Sequence, residues 1–285
     1  MKQLQPPRRS AGFSLVEVMV ALAIGMVVIA AVLVSYLGSS QAGREQAAYA
    51  ELNENAQLAF DILTRDLLMA GYSMPTGVDS STGKLILPVT NPPVFGCEQG
   101  FASATVANPV CSAASGKPAL RLTYQADLTN TVPTSAAKPS DCLGNGIDGA
   151  LPVADNRYYL KEKVAGSGRF ELYCAGYDAA SATSQGGQPL VDNVSEMSIL
   201  YGVAADWVDA KPGPVVRYVD ASGVADWNLV VSVRICLLMR SNEPVLSGAG
   251  MLSYRDCSSQ QQTASDRHLR RAYATTITLR NRMAL

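Results

Sequence analysis

The sequence predicts an α+β protein: a long N-terminal helix, membrane-spanning in its first half, packed on an antiparallel β-sheet. Three observations predict it. Residues 13–37 carry one charge, Glu17, and no proline. Residues 45–71 keep a helical period in which apolar side chains step by three and four. Beyond residue 157, runs of alternating apolar and polar residues are separated by turn signals.

The apolar run comes first. A helix over 13–37 is roughly 37 Å long at about 1.5 Å per residue. That is enough to cross a hydrocarbon core of about 30 Å. Glu17 fits neither an ordinary anchor nor an uncleaved signal peptide. A carboxylate in a membrane helix costs on the order of 2.5–3.5 kcal/mol at the bilayer centre and less near an interface. No residue of the run offers it a partner. Residues 1–12 resolve the difficulty. They are polar and basic, with Lys2, Arg8 and Arg9. A secretory signal is cut after its apolar region, but here the small residue, Gly12, stands before it. A cut after Gly12 leaves Phe13 with a free α-amine and keeps the helix in the product. That amine is a cation one helical turn from Glu17.

The string Gly12-Phe13-Ser14-Leu15-Val16-Glu17 resembles the class III signal of type IV pilins and their relatives. The shared order is basic leader, glycine, phenylalanine, glutamate at the fifth mature position, apolar helix. In that family a prepilin peptidase cuts after the glycine and N-methylates the new phenylalanine. The glutamate meets the amino terminus of a neighbouring subunit as it joins the filament. The resemblance implies cleavage between Gly12 and Phe13, methylation of Phe13, and an assembly role for Glu17.

Charge and cysteines set the compartment. Formal net charge is −1, and removal of the three basic leader residues and no acidic one takes it to −4. A nucleic-acid binder would show a basic patch or stripe, so no nucleic-acid partner is expected. By the positive-inside rule the leader charges stay cytoplasmic and the body beyond residue 38 is periplasmic. Cys97, Cys111, Cys142, Cys174, Cys236 and Cys257 all fall in that exported part. An even set in an oxidising compartment reads as disulfides. Six cysteines allow fifteen pairings; pairing of sequence neighbours is the expectation, with buried free thiols and, weaker, a metal site as alternatives. No Cys-x-x-Cys occurs and His268 is the sole histidine, so no metal is expected.

Residues 38–72 continue the helix. Gly38, Ser39, Ser40 and Gly43 are poor helix formers and are expected to loosen it there. Leu52, Ala56, Ala59, Phe60, Leu63 and Leu67 then form an apolar stripe, with Glu51, Glu54, Asp61 and Arg65 elsewhere. Gly71 is the stop, with Pro75 just beyond. This segment resembles the exported helix of PilW-type minor pilins and of J-type pseudopilins of type II secretion. Residues 73–155 are rich in Gly, Pro, Ser, Thr and Ala and read as long disulfide-held loops with one strand at 120–124. Residues 157–163 and 169–174 form a hairpin about Ala165-Gly166-Ser167-Gly168. Val194, Met197, Ile199 and Tyr201 mark another strand. The longest strand is 229–240, with Val231, Val233, Ile235, Leu237 and Met239 on one face and Ser232, Arg234, Cys236 and Arg240 on the other. The tail, 273–279, closes the sheet. Leu172-Tyr173-Cys174, residues 231–240 and Leu279-Arg280-Asn281-Arg282 also resemble PilW-type proteins.

Sites for chemistry are weak. A nucleophile–base pair would need His268, which lies in a polar stretch and reads as solvated. Ser135-Ala136-Ala137-Lys138 matches Ser-x-x-Lys without its companion motifs. Gly77 to Gly83-Lys84 is one residue too long for a phosphate loop. Asp206, Asp209, Asp220 and Asp226 lack the Asp-x-Asp-x-Asp-Gly order of a Ca²⁺ loop and read as solvated turns. Trp207, Trp227, Tyr201 and Tyr218 read as packing, with a carbohydrate or partner surface as the lesser alternative. No enzyme, cofactor or metal is expected.

The resemblance implies a PilW-type minor pilin that co-assembles with other minor pilins to prime or cap a type IV pilus. It would support pilus biogenesis, twitching motility and adhesion. Its partners would be other minor pilins, the major pilin, the prepilin peptidase and the inner-membrane assembly platform. The expected parts are a cleaved leader, 1–12; a transmembrane and filament-core helix, 13–37; an amphipathic continuation, 38–72; and a periplasmic β-rich domain, 73–285. Such a chain is single-pass in the inner membrane before assembly and at the cell surface after it. A J-type pseudopilin and a pilus-tip adhesin are the alternatives.

Overall fold

The computed structural model describes residues 12–81, 85–89, 92–184, 186–208, 211–247 and 251–282. The leader with Lys2, Arg8 and Arg9, the Gly83-Lys84 end of the phosphate-loop match, and Asp209 lie outside them. The chain divides into two units, Met1–Ala47 and Ala48–Leu285.

A single helix, α1, runs Leu15–Met69. The expected loosening at Gly38, Ser39, Ser40 and Gly43 is absent; all four are helical. A mid-helix glycine costs about 1 kcal/mol, too little to break a helix with strong formers on both sides. Gln41 adds an i,i+4 bond to Glu45 at 2.8 Å. In the first unit the side chains of the apolar run are open: Phe13, Met26, Val34 and Leu37 are all exposed. It is, among the described residues, the one helix long and apolar enough to cross a membrane.

In the second unit α1 buries Ala48, Leu52, Ala56, Ala59, Leu63 and Leu67, the stripe the period predicts; Phe60 lies at its margin, half-buried. The helix stops at Gly71, which takes φ +78°, a conformation easy only for glycine. The stop is tied to the sheet by the Gly71 N–H donating to the Thr123 carbonyl at 2.9 Å.

The residues after α1 form two main antiparallel sheets where the sequence led us to expect one. The first contains β3 (Val94–Cys97), β4 (Ala119–Gln125), β5 (Val153–Glu162), β6 (Phe170–Gly176) and β7 (Gln188–Val191), in that order. The second has the order β11 (Val215–Val219), β8 (Val194–Ala204), β12 (Val230–Arg240), β15 (Arg270–Thr278). Asn193, at φ +63°, turns the chain from β7 into β8 and so from one sheet to the other. That tight corner, with β7 so short, is why the run of strands read as one sheet. Small hairpins complete the set: β1 (Gly77–Val78) with β2 (Leu85–Ile86), β9 (Trp207–Val208) with β10 (Lys211–Pro212), and β13 (Leu252–Arg255) with β14 (Gln261–Ala264).

One core joins α1 and both sheets. Leu52, Leu63 and Leu67 meet Val94, Leu120, Leu122, Tyr158 and Leu172 of the first sheet and Met197, Ile199, Ile235 and Leu237 of the second. β3 lies inside the stretch expected to be loop. It is only four residues long, preceded by two prolines, and is recognisable by its pairing with β4 more than by its own pattern. β12 also departs from strict alternation. The register slips between Val230 and Ser232, so Val230 joins the core cluster in place of Val231. A bulge of one residue re-aims a side chain in this way. Three disulfides join Cys97 to Cys111, Cys142 to Cys174 and Cys236 to Cys257.

Candidate functional site

The first site is the start of α1. Gly12, Phe13 and Ser14 are not helical. The Ser14 carbonyl accepts the Val18 N–H at 3.2 Å, so Ser14 is the cap of the helix. Its hydroxyl accepts the Glu17 N–H at 3.2 Å, and the Glu17 carboxylate accepts the Ser14 N–H at 3.3 Å. This reciprocal pair is a capping box. The sequence contains it as Ser14-Leu15-Val16-Glu17, a signal that the sequence reading above does not use. That N–H is neutral, and among the described residues Glu17 has no cationic partner. Phe13, Glu17, Val18, Ala21 and Leu22 bracket a shallow groove on one side of the helix. Among the described residues, a Cβ added at Gly12 would meet nothing within 4 Å, so none of them requires glycine there.

The second site is a buried polar cluster at the far end of α1, which the sequence reading missed. Asp66 lies beside Leu67 on the stripe and is only 6% exposed. It accepts three donors: Tyr158 Oη at 2.6 Å, Asn156 Nδ2 at 2.6 Å and Tyr124 Oη at 3.1 Å. Burial pushes its carboxyl above the usual range, and the three donors pull it part of the way back. The legible signal was an acid in phase with Leu63 and Leu67.

On the opposite face of β5, Arg157 is fully buried. Its guanidinium grips Asp155 through Nε at 3.0 Å and Nη2 at 2.7 Å. Arg121 holds the same carboxylate at 3.0 and 2.9 Å. The remaining Arg157 donors reach the carbonyls of Ala104 at 2.9 Å, Val106, and Ala107 at 3.2 Å. Tyr177 stacks on the guanidinium at 4.7 Å. The loop closed by Cys97–Cys111 is thus pinned to the sheet as well as stapled to β3.

The other singled-out residues take structural places. His268 is half-buried, not solvated: its Nδ1 meets the Ser241 carbonyl at 2.8 Å. Burial and the charges of Arg240 and Arg270 hold its pKa low. Lys138 pairs with Asp148, not with Ser135. Asp220 and Asp226 cap short 3-10 helices. Tyr201 is buried edge-on to Trp227 at 4.9 Å, and Tyr218 carries Arg234 on its ring at 4.9 Å; the Trp207 side chain lies outside what is described. Among the described residues no group of three metal-ligating side chains occurs.

Asp266 supplies a pH-dependent tie. Arg270 donates to it at 2.7 Å, the His268 N–H donates at 3.3 Å, and Arg240 lies at 3.5 Å. The Arg270 bond comes first among the causes that hold its carboxyl well below the usual range. A depressed acid stabilises the fold above its unfolded value of about 4, and that contribution is lost as pH falls through the folded value. Asp266 is more than a third exposed, so the effect is small. Urea midpoints of the parent and Asp266→Asn should differ at pH 6, and the gap should have begun to narrow by pH 3. A constant gap across that range would contradict the assignment.

The described residues thus combine an apolar helix, starting at a capped Ser14-x-x-Glu17 turn, with antiparallel sheets packed on its second half. Residues 7–33 match the prokaryotic N-terminal methylation motif. Residues 157–281 match the family described as Type IV Pilus-assembly protein W. By these two matches the chain is similar, over those residues, to pilin-like proteins of the PilW type. A solved type IV-like pilin from Thermus thermophilus is similar at 13% identity and a TM-score of 0.41, over 82% of this chain and 97% of that one. No curated protein matches the chain.

Proposed function

We propose that the protein is a minor pilin that co-assembles with other minor pilins to prime or cap a type IV pilus, with a structural and not an enzymatic role. The observation that carries this is Gly12-Phe13 standing ahead of a capped, fully exposed apolar helix. Gly12 meets no packing demand from the described residues, which agrees with a need for glycine set by a molecule that approaches the 12–13 bond. A prepilin peptidase cuts that bond and methylates Phe13. The leader, 1–12, is then lost. The helix over 13–37 spans the inner membrane and later packs in the filament core, and 38–72 continues it. The β-rich domain, 73–285, folds in the periplasm, where its three disulfides are stable.

Glu17 has a particular part in assembly. An acid in a bundle of apolar helices needs a cation. Its local partner, the Ser14 N–H, is neutral. The terminal ammonium of a neighbouring subunit's Phe13 supplies the charge, and only one axial register brings the two together. The partners are other minor pilins, the major pilin and the inner-membrane assembly platform; twitching motility and adhesion follow from the fibre. Deletion of the gene tests the reading. Loss of surface fibres with normal exoprotein release is expected. Intact fibres with blocked exoprotein release would place the chain in type II secretion instead.

A further inference from the structure

We propose that closure of the Cys142–Cys174 disulfide locks the second half of α1 onto the sheet, acting through the side-chain amide of Asn156. The inference is independent of the assembly role above. It starts from Asp66, a buried carboxylate of α1 that forms no ion pair among the described residues. The charge of Arg65 is the weakest influence on it. Such a group is tolerated inside only while its hydrogen-bond donors are in place.

Asn156, fully buried, is one of the three donors. An amide presents an oxygen and a nitrogen of nearly equal shape, and its neighbours decide which faces which. Here the backbone N–H of Cys142 donates to Asn156 Oδ1 at 3.0 Å. That bond turns Nδ2 towards Asp66. The opposite orientation would set an oxygen against the carboxylate and an NH₂ against the Cys142 N–H.

The Cys142 backbone is held where it is by the bridge to Cys174, a fully buried residue of β6. Cys174 lies across from Tyr158 in the β5–β6 register, so the bridge also abuts a second Asp66 donor. The rest of the loop is fitted to that position. A Cβ at Gly176 would lie 1.8 Å from Asp141 Oδ2, and Asp141 in turn accepts the N–H groups of Leu143 and Asn145. Among the described residues the other two bridges have no such link. Cys97–Cys111 closes a loop on β3, and Cys236–Cys257 ties the β13–β14 region to β12.

In the reduced chain, α1 has its apolar stripe but a carboxylate short of an oriented donor. Oxidation supplies it. The two thiols give two protons and two electrons to a protein disulfide, which leaves as a dithiol. Helix docking is thereby coupled to the redox state of the compartment in which the body folds.

The test is hydrogen exchange on the full chain in detergent micelles. Cys142→Ser with Cys174→Ser should reduce protection of residues 59–70 by roughly tenfold or more while β12 and β15 keep theirs. Cys97→Ser with Cys111→Ser, and Cys236→Ser with Cys257→Ser, should leave those helical amides within about twofold of the parent. Asn156→Ala, its disulfide intact, should reproduce the helix loss. Unchanged helix protection in the Cys142/Cys174 variant, or in Asn156→Ala, would overturn the proposal. So would equal loss in all three disulfide variants. If the Cys142/Cys174 variant unfolds throughout, Asn156→Ala decides alone.

Discussion

Replacing Glu17 by alanine leaves leader removal intact and cuts incorporation into filaments by on the order of a hundredfold. The magnitude follows from the charge left behind. In the proposed register the carboxylate and a neighbour's terminal ammonium cancel. Without Glu17 that ammonium is stranded among apolar helices, at on the order of 2.5–3.5 kcal/mol, and each 1.4 kcal/mol is about tenfold. The variant also loses the bond between the carboxylate and the Ser14 N–H, so a control is needed. Ser14→Ala removes the hydroxyl half of the capping box but keeps the charge. It costs about 1 kcal/mol of helix stability and should incorporate nearly as well as the parent. Quantifying each variant in sheared fibres against its cellular pool separates the roles. Equal losses for Ser14→Ala and Glu17→Ala would mean that Glu17 acts as a cap and not as a charge.

Arg157→Ala should give the largest loss of stability in the second unit, on the order of 3–5 kcal/mol. Three consequences combine. The Asp155 carboxylate, 4% exposed, keeps Arg121 but loses a two-point partner. The carbonyls of Ala104, Val106 and Ala107 lose their donor. The ring of Tyr177 loses the group stacked on it. Arg157→Lys should recover little, because an ammonium cannot reproduce the planar fork that serves a carboxylate and a set of carbonyls at once. Chemical denaturation of the full chain in micelles measures both variants, with disulfides intact. A loss below about 1 kcal/mol for alanine would show that the loop's own disulfide and backbone bonds hold it without the arginine.

The two sites differ in how much of them the sequence displayed. The N-terminal site was legible because each part is a local string. A glycine before a greasy run and an acid four residues after Phe13 are read within six positions, and the Ser-x-x-Glu cap lay unread in the same string. The helix period was legible for the same reason: Leu52, Leu63 and Leu67 declare a face by spacing alone. Asp66 was half-legible. Its phase placed it on that face, but its donors are supplied 58 to 92 residues away. Arg157 gave no warning. In β5 it alternates with Tyr158 as a surface residue would, and only the return of the 104–107 loop buries it. Long-range closure also decided the sheets. β3 is too short to announce itself, and the corner at Asn193 is a single residue in an unusual conformation.

In the proposed assembly, Glu17 of the apolar helix finds its cation at another subunit's new amino terminus. The most direct measurement is the intact mass and N-terminal sequence of the chain purified from fibres of native cells. The predicted result is a chain that begins at Phe13 and carries an N-methyl group. A mature chain that still carries residues 1–12 would contradict it, because no ammonium would then stand beside Glu17.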